Sequence, residues 1–165
     1  IKNTNYVPEE EFILSVFSMV LAGLKEVHKN NFLHLDMKPS NILLRASGVP
    51  LILDLGAAFK VAQSDTHKVH TPTHGYSSPE QHKKEALSYA SDLYAVAMTM
   101  RACITHSSPP SAVKRMKKDT VRPMRDTHQK HYSQGLLQAI DQASALDQTV
   151  RPQSVDEFIE IMTSR

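Results

Sequence analysis

A chain of 165 residues, 41% apolar and 22% charged, holds enough apolar side chains for one buried core, which argues against an intrinsically disordered segment. Nineteen Lys and Arg against seventeen Asp and Glu leave a net charge of only +2, so no strongly basic composition marks it for nucleic acid. No apolar run reaches bilayer-spanning length, Ile1-Lys2-Asn3-Thr4-Asn5 does not read as a secretion signal, and the lone Cys103 cannot form an intramolecular disulfide, all of which suits a soluble domain in a reducing, cytoplasmic compartment.

The first predicted element is a long buried helix from about Pro8 to about His28. Pro8 and Glu9-Glu10-Glu11 put proline and negative charge where a helix N-terminus favours them, and Ile13, Val16, Phe17, Val20, Leu24 and Val27 recur at helical spacing. Asn41-Ile42-Leu43-Leu44 and Pro50-Leu51-Ile52-Leu53-Asp54 flank the turn-prone Ala46-Ser47-Gly48 and predict a β-hairpin. From about Gly56 to Glu80 periodicity disappears and His, Thr, Ser and Pro accumulate, as in a long functional loop. Ser91 to Met98 is apolar nearly all round, as in a helix buried at the centre of a domain. The stretch from Ser107 to Thr127, with Pro109-Pro110 and the basic run Lys114 to Lys118, reads as a polar loop; the run itself reads as hydrated surface or a contact for an acidic partner. Helices near Gln134 to Leu146 and Ser154 to Thr163 close a mainly α fold, a helical bundle with one small hairpin.

The chemistry concentrates in His34-Leu35-Asp36-Met37-Lys38-Pro39-Ser40-Asn41, between helix and hairpin, and in Asp54-Leu55-Gly56 at the hairpin's far end. Phosphoryl transfer needs a carboxylate near the acceptor hydroxyl, a cation near the phosphate oxygens and oxygen ligands for magnesium. Asp36, Lys38, Asn41 and Asp54 are those chemical types, and the hairpin returns Asp54 beside Asn41, with Gly56 expected to supply backbone freedom. His67, His70 and His74 fall at helix-like intervals but, without cysteine in a loop, read as a chance cluster rather than a zinc site.

These motifs resemble those of the protein kinases, in the form of the Ser/Thr branch. The resemblance implies a protein-kinase-like C-lobe over residues 1–165, with ATP and Mg2+ (or Mn2+) as cofactors and a protein as phosphate acceptor. It implies that Asp36 orients the acceptor hydroxyl, that Lys38 contacts the transferred phosphate, that Asn41 and Asp54 bind magnesium, and that Leu43 lies under adenine. Gly75-Tyr76-Ser77-Ser78-Pro79-Glu80 resembles the end of an activation segment, which gives Thr73 a hydroxyl that bridges Asp36 and Lys38. His34 is expected as a buried scaffold residue. Asp92 resembles the central-helix aspartate that holds the catalytic-loop backbone, and Arg151 the arginine that pairs with Glu80. Pro79-Glu80-Gln81 and Arg151 to Phe158 resemble bacterial members, which leaves delivery into a host cell open beside the cytoplasm.

Departures from the family pattern shape the expected function. Leu35 stands where many kinases carry an arginine, so a phosphate on Ser64, Thr66 or Thr71 lacks an obvious arginine partner. The five glycines never form Gly-x-Gly-x-x-Gly, and no lysine has a Val-Ala-Ile-Lys setting. The chain opens on Ile1 rather than methionine, and is expected to be a segment lacking the ATP-gripping N-lobe, inactive alone, with an apolar face prone to self-association. A pseudokinase or protein-binding scaffold, and a small-molecule phosphotransferase, are the alternatives.

Overall fold

The computed structural model describes residues 7–61 and 71–164. Helix α1 covers Glu10–Lys29, with Glu10 and Glu11 in its first turn, and buries Ile13, Val16, Phe17, Val20, Leu21 and Leu24. Strand β1 (Phe32–Leu33) pairs antiparallel with β4 (Phe59–Lys60), while β2 (Ile42–Leu44) pairs with β3 (Pro50–Ile52) in the register Ile42 to Ile52. The helices that follow are α2 (Pro79–Lys83), α3 (Tyr89–Thr105), α4 (Ala112–Lys117), α5 (Met124–His128), α6 (Gln134–Ala143) and α7 (Val155–Thr163).

Helix α3 is the axis of the bundle. Every residue from Ala90 to Met100 is buried, so it is enclosed on all sides, as its near-uniform apolar composition requires. Leu21 and Leu24 of α1, Leu93, Val96 and Met100 of α3, Leu136 and Ile140 of α6, and Phe158 and Met162 of α7 form one core. None of the helices among the described residues is long and apolar enough to cross a membrane.

Two regions differ from their sequence-based expectation. The stretch expected as a polar loop contains α4 and α5, helices of six and five residues, too short to leave a readable periodicity. Its basic run is not wholly hydrated surface, because Arg115 is buried. The Arg115 guanidinium donates to both carboxylate oxygens of Asp119 (3.1 and 2.8 Å), to the Tyr94 hydroxyl (3.1 Å) and to the Ser144 carbonyl (2.7 Å), so its charge enters the interior fully partnered. Within the expected loop from Gly56 to Glu80, two-residue β4 closes a second small sheet with β1; strands that short show no alternation.

A second buried arginine locks the lower half of the fold. Arg151 donates to both oxygens of Glu80 (2.7 and 3.0 Å) and to the carbonyls of Ala90, Ala145 and Leu146, and its guanidinium lies 4.9 Å from the centre of the Tyr94 ring. Ser91 Oγ adds a 2.7 Å hydrogen bond to Glu80. The pair thus joins α2 to α3 and to the turn ahead of α7. Burial pushes the Glu80 carboxyl up, but the hydrogen bonds and charge of Arg151, with the Ser91 bond, outweigh it and hold the group below its ordinary 4.5.

Arg151→Met strands a buried carboxylate and is expected to lower the urea-unfolding free energy at neutral pH by about 3–5 kcal/mol. Adding Glu80→Gln should recover part of that loss; a double variant no more stable than the single would refute the pairing as its cause. Because the folded-state value of Glu80 is depressed, its contribution is complete above pH 4.5 and fades as pH falls from there through the folded value. Glu80→Gln should therefore flatten the acid limb of a stability-against-pH curve, and a limb of unchanged slope would count against it.

Candidate active site

The segment from His34 to Asn41 makes few backbone ladder bonds of its own, so its shape is imposed by buried side chains from elsewhere. Asp92, wholly buried in the first turn of α3, accepts from the amides of His34 and Leu35, each at 2.8 Å, and lies 2.8 Å from His28 Nε2. These bonds hold Leu35 at φ +62°, a left-handed conformation that a leucine adopts only under such constraint. From the other side, Gln81 Nε2 donates to the Leu35 carbonyl (3.0 Å). Leu35 itself is buried where an arginine is frequent in the family.

His34 is also buried. Its Nδ1 accepts from the Asp36 amide (3.3 Å) and its Nε2 lies 3.3 Å from the Leu53 carbonyl, which assigns the Nε2–H tautomer and links the loop to the residue before Asp54. The Leu53 amide donates to the Asn41 carbonyl (2.8 Å), so the hairpin brings Asn41 and Asp54 to neighbouring strand ends.

Three groups converge on the Asp36 carboxylate. Thr73 Oγ1 donates to Oδ1 (2.6 Å), Lys38 Nζ lies 2.8 Å from Oδ2, and Asn41 Nδ2 donates to Oδ2 (2.9 Å) and to the Asp36 carbonyl (2.8 Å). Lys38 also reaches Thr73 Oγ1 at 3.4 Å. Burial pushes the Asp36 carboxyl up, but the bonds from Lys38, Thr73 and Asn41 and the lysine charge prevail, so it stays ionised well into mild acid. An anion held beside a cation and a hydroxyl, still partly open to solvent, can accept a hydrogen bond from an incoming alcohol.

Asp54 takes φ +58°, and its Oδ1 accepts from the Gly56 amide (2.9 Å) while Oδ2 accepts nothing among the described residues. The backbone freedom expected of Gly56 is thus found at Asp54 instead. Gly56 leaves room for the carboxylate: a Cβ there would stand 2.7 Å from Asp54 Oδ1, which would have to shift. Asp36, Lys38, Asp54, Gly56, Thr71 and Thr73 line one open cleft of about 270 Å³. Asn41 borders it through Asp36, and with Nδ2 turned to that carboxylate its Oδ1 remains as a donor atom. Asn41 Oδ1 and Asp54 Oδ2 are hard oxygens of the kind magnesium takes, in the small number it takes from protein.

Leu43 is half exposed on β2, opposite the exposed Leu51 on β3, with Leu44 and Val49 also exposed nearby. Glu80, Asp92 and Arg151 lie outside the cleft lining and act on the fold. Ser64, Thr66, His67 and His70 lie outside the described residues, whereas His74 is exposed; no cluster of three metal-ligating side chains occurs among the described residues. Two supporting residues went unread in the sequence. Gln81 carried a signal, because Ser78-x-x-Gln81 is a capping box, seen here as Ser78 N donating to Gln81 Oε1 (3.0 Å). His28 carried a weaker one, its place one turn after Leu24 on the buried face of α1, where it stacks 4.4 Å from Tyr89.

Residues 1–164 match the family described as the protein kinase domain. Serine/threonine-protein kinase PknD of Mycobacterium tuberculosis is 30% identical over 98 residues, 58% of this chain and 15% of that protein. Mitogen-activated protein kinase kinase 1c of Physcomitrium patens is 34% identical over 114 residues, 66% of this chain and 32% of that protein. The solved structure described as PpkA-294 apo form superposes with a TM-score of 0.79 at 28% identity, covering 93% of this chain and 54% of its own. The chain therefore spans less than a third of these two curated relatives and about half of the solved structure. With the match running nearly end to end, the chain belongs to the protein kinase domain family.

Proposed function

We propose that these residues form the C-terminal, helical lobe of a Ser/Thr protein kinase, whose cleft aligns a protein Ser or Thr hydroxyl for attack on the γ-phosphate of ATP. The observation that carries this reading is the convergence of Lys38, Thr73 and Asn41 on the Asp36 carboxylate in a cleft shared with Asp54. Asp36 accepts the hydrogen bond of the incoming hydroxyl and fixes its lone pair toward the phosphorus. Lys38, kept in place by Asp36 and Thr73, puts its charge beside the phosphate oxygens. Asn41 Oδ1 and Asp54 Oδ2 would hold Mg2+ (or Mn2+), which supplies neutralisation of the charge on those oxygens. A scaffold without chemistry has no need for four such groups in one cleft, which favours the enzyme over the pseudokinase reading. We place its action in the cytosol, in keeping with a single cysteine that can form no intramolecular disulfide.

The 165 residues contain neither the glycine-rich loop nor the strand lysine of the family, so we infer that ATP is gripped by a second lobe. The exposed Leu43, Leu44 and Leu51 of the hairpin fit a surface that such a lobe covers, with Leu43 under adenine.

Joined to an ATP-gripping lobe, Asp36→Asn should lower phosphate transfer to a protein acceptor by roughly 100-fold or more while partner binding survives. Retained transfer would sink the reading, and faster transfer to small alcohols than to protein in the same assay would redirect it to metabolites. The chain alone should bind ATP only weakly in calorimetry and transfer no measurable phosphate; turnover matching an intact two-lobe kinase would overturn the need for a second lobe.

A further inference from the structure

A concavity of about 370 Å³, larger than the cleft and sharing no residue with it, opens between α3, α4, α5 and α6. Four arginines line it, at 101, 115, 122 and 125, against two aspartates, at 119 and 141. Both aspartates are already engaged. Asp119 takes both arms of Arg115 and the Val121 amide (3.1 Å), and Asp141 takes the amides of Met124 (2.6 Å) and Arg125 (3.1 Å) together with Arg125 Nε (3.1 Å).

Arg101 and Arg122 are left over. Arg101 donates to the Arg122 carbonyl (2.8 Å), and the Arg122 side chain has no ion pair among the described residues. Arg101 is half-buried, and that burial disfavours its charged form; the Arg115 charge adds to this, and the opposing pull of Asp141 and Asp119 does not offset it. A guanidinium stays charged at any physiological pH, so a partly desolvated one with no carboxylate in ion-pair contact is stabilised by an anion that enters. The same two arginines also line an adjoining groove of about 360 Å³ with Thr105, Pro109, Pro110 and His128.

We propose that Arg101 and Arg122 form an anion site for a phosphorylated Ser or Thr of a bound protein segment. Two guanidiniums without an ion pair among the described residues match a phosphate monoester, which carries nearly two negative charges and presents several acceptor oxygens to forked donors. A protein segment is the occupant because of where the groove lies. Gly75, two residues beyond Thr73, takes φ +86° and packs so tightly on Pro109 that a Cβ would stand 2.6 Å from the Pro109 carbonyl, and Pro109 lines the groove. The groove thus adjoins the segment that bears Thr73, and a protein chain bound at the cleft is within reach of it, an inference of occupant that rests on the cleft taking protein acceptors.

The test is a fluorescence-anisotropy titration of the full chain, at low ionic strength, with a labelled peptide carrying one phosphoserine and with its Ser and Glu counterparts. The phosphopeptide should bind about tenfold tighter than the Ser peptide. Arg122→Glu and Arg122→Ala, both at an exposed position, should abolish that preference, while the charge control Lys130→Glu, exposed and outside the groove, keeps it. Equal affinity for the phosphorylated and Ser peptides, a preference that survives in the Arg122 variants, or equally tight binding of the Glu peptide would each overturn the assignment. Binding needs no phosphate transfer, so a negative result here leaves the reading of the cleft intact, whereas an active Asp36→Asn variant removes the argument for the occupant and leaves the anion site to be decided by the titration.

Discussion

A single buried carboxylate organises the candidate site. Asp92 has no access to solvent and must find its partners inside the protein, and it finds them in the amides of His34 and Leu35. Those bonds force Leu35 into a left-handed conformation, and the resulting turn presents Asp36 outward to the cleft while Leu35 is buried. Remove the carboxylate and two buried amides lose their acceptors together, which is why a residue outside the cleft controls the residues within it. Gln81, bonded to the Leu35 carbonyl, satisfies the third polar group of the same turn.

The rest of the fold supplies rigidity to that turn. Arg151 and Glu80 are both buried, and a buried ion pair is seldom a large source of stability compared with a well-packed apolar one. Its use here is geometric: of the five Arg151 hydrogen bonds, two reach Glu80 of α2, one Ala90 of α3 and two the carbonyls of Ala145 and Leu146 after α6, so Gln81 and Asp92 approach the loop from a fixed distance apart. Arg115 does the same for α4 against the end of α6. Both guanidiniums lie near the face of Tyr94, which ties the two networks to one aromatic ring at the centre of the bundle.

The contrast between these satisfied arginines and the pair at 101 and 122 is what gives the second groove its meaning. Where the protein uses a guanidinium to build itself, each is surrounded by acceptors. At 101 and 122 no carboxylate comes into ion-pair contact among the described residues, and both side chains line an open groove that Pro109 also lines, beside the segment bearing Thr73.

The sequence determined much of this by itself. Helical spacing in α1, α6 and α7, the continuous apolar stretch of α3 and the turn between β2 and β3 are properties of local pattern, and each emerged where expected, although α3 runs on from Met98 to Thr105. The order of short motifs made Asp36, Lys38, Asn41, Asp54 and Thr73 legible as one group before any geometry was known. Local pattern was blind to α4, α5 and the β1–β4 pairing, because elements of two to six residues span too little of a period to register. Only the tertiary structure decided that Arg115 of a basic run is interior, that Asp54 rather than Gly56 adopts the left-handed backbone, and that Arg101 and Arg122, 21 residues apart, line one concavity. Burial and pairing of a charge depend on which distant acceptors fold against it, and one-dimensional spacing carries no record of that.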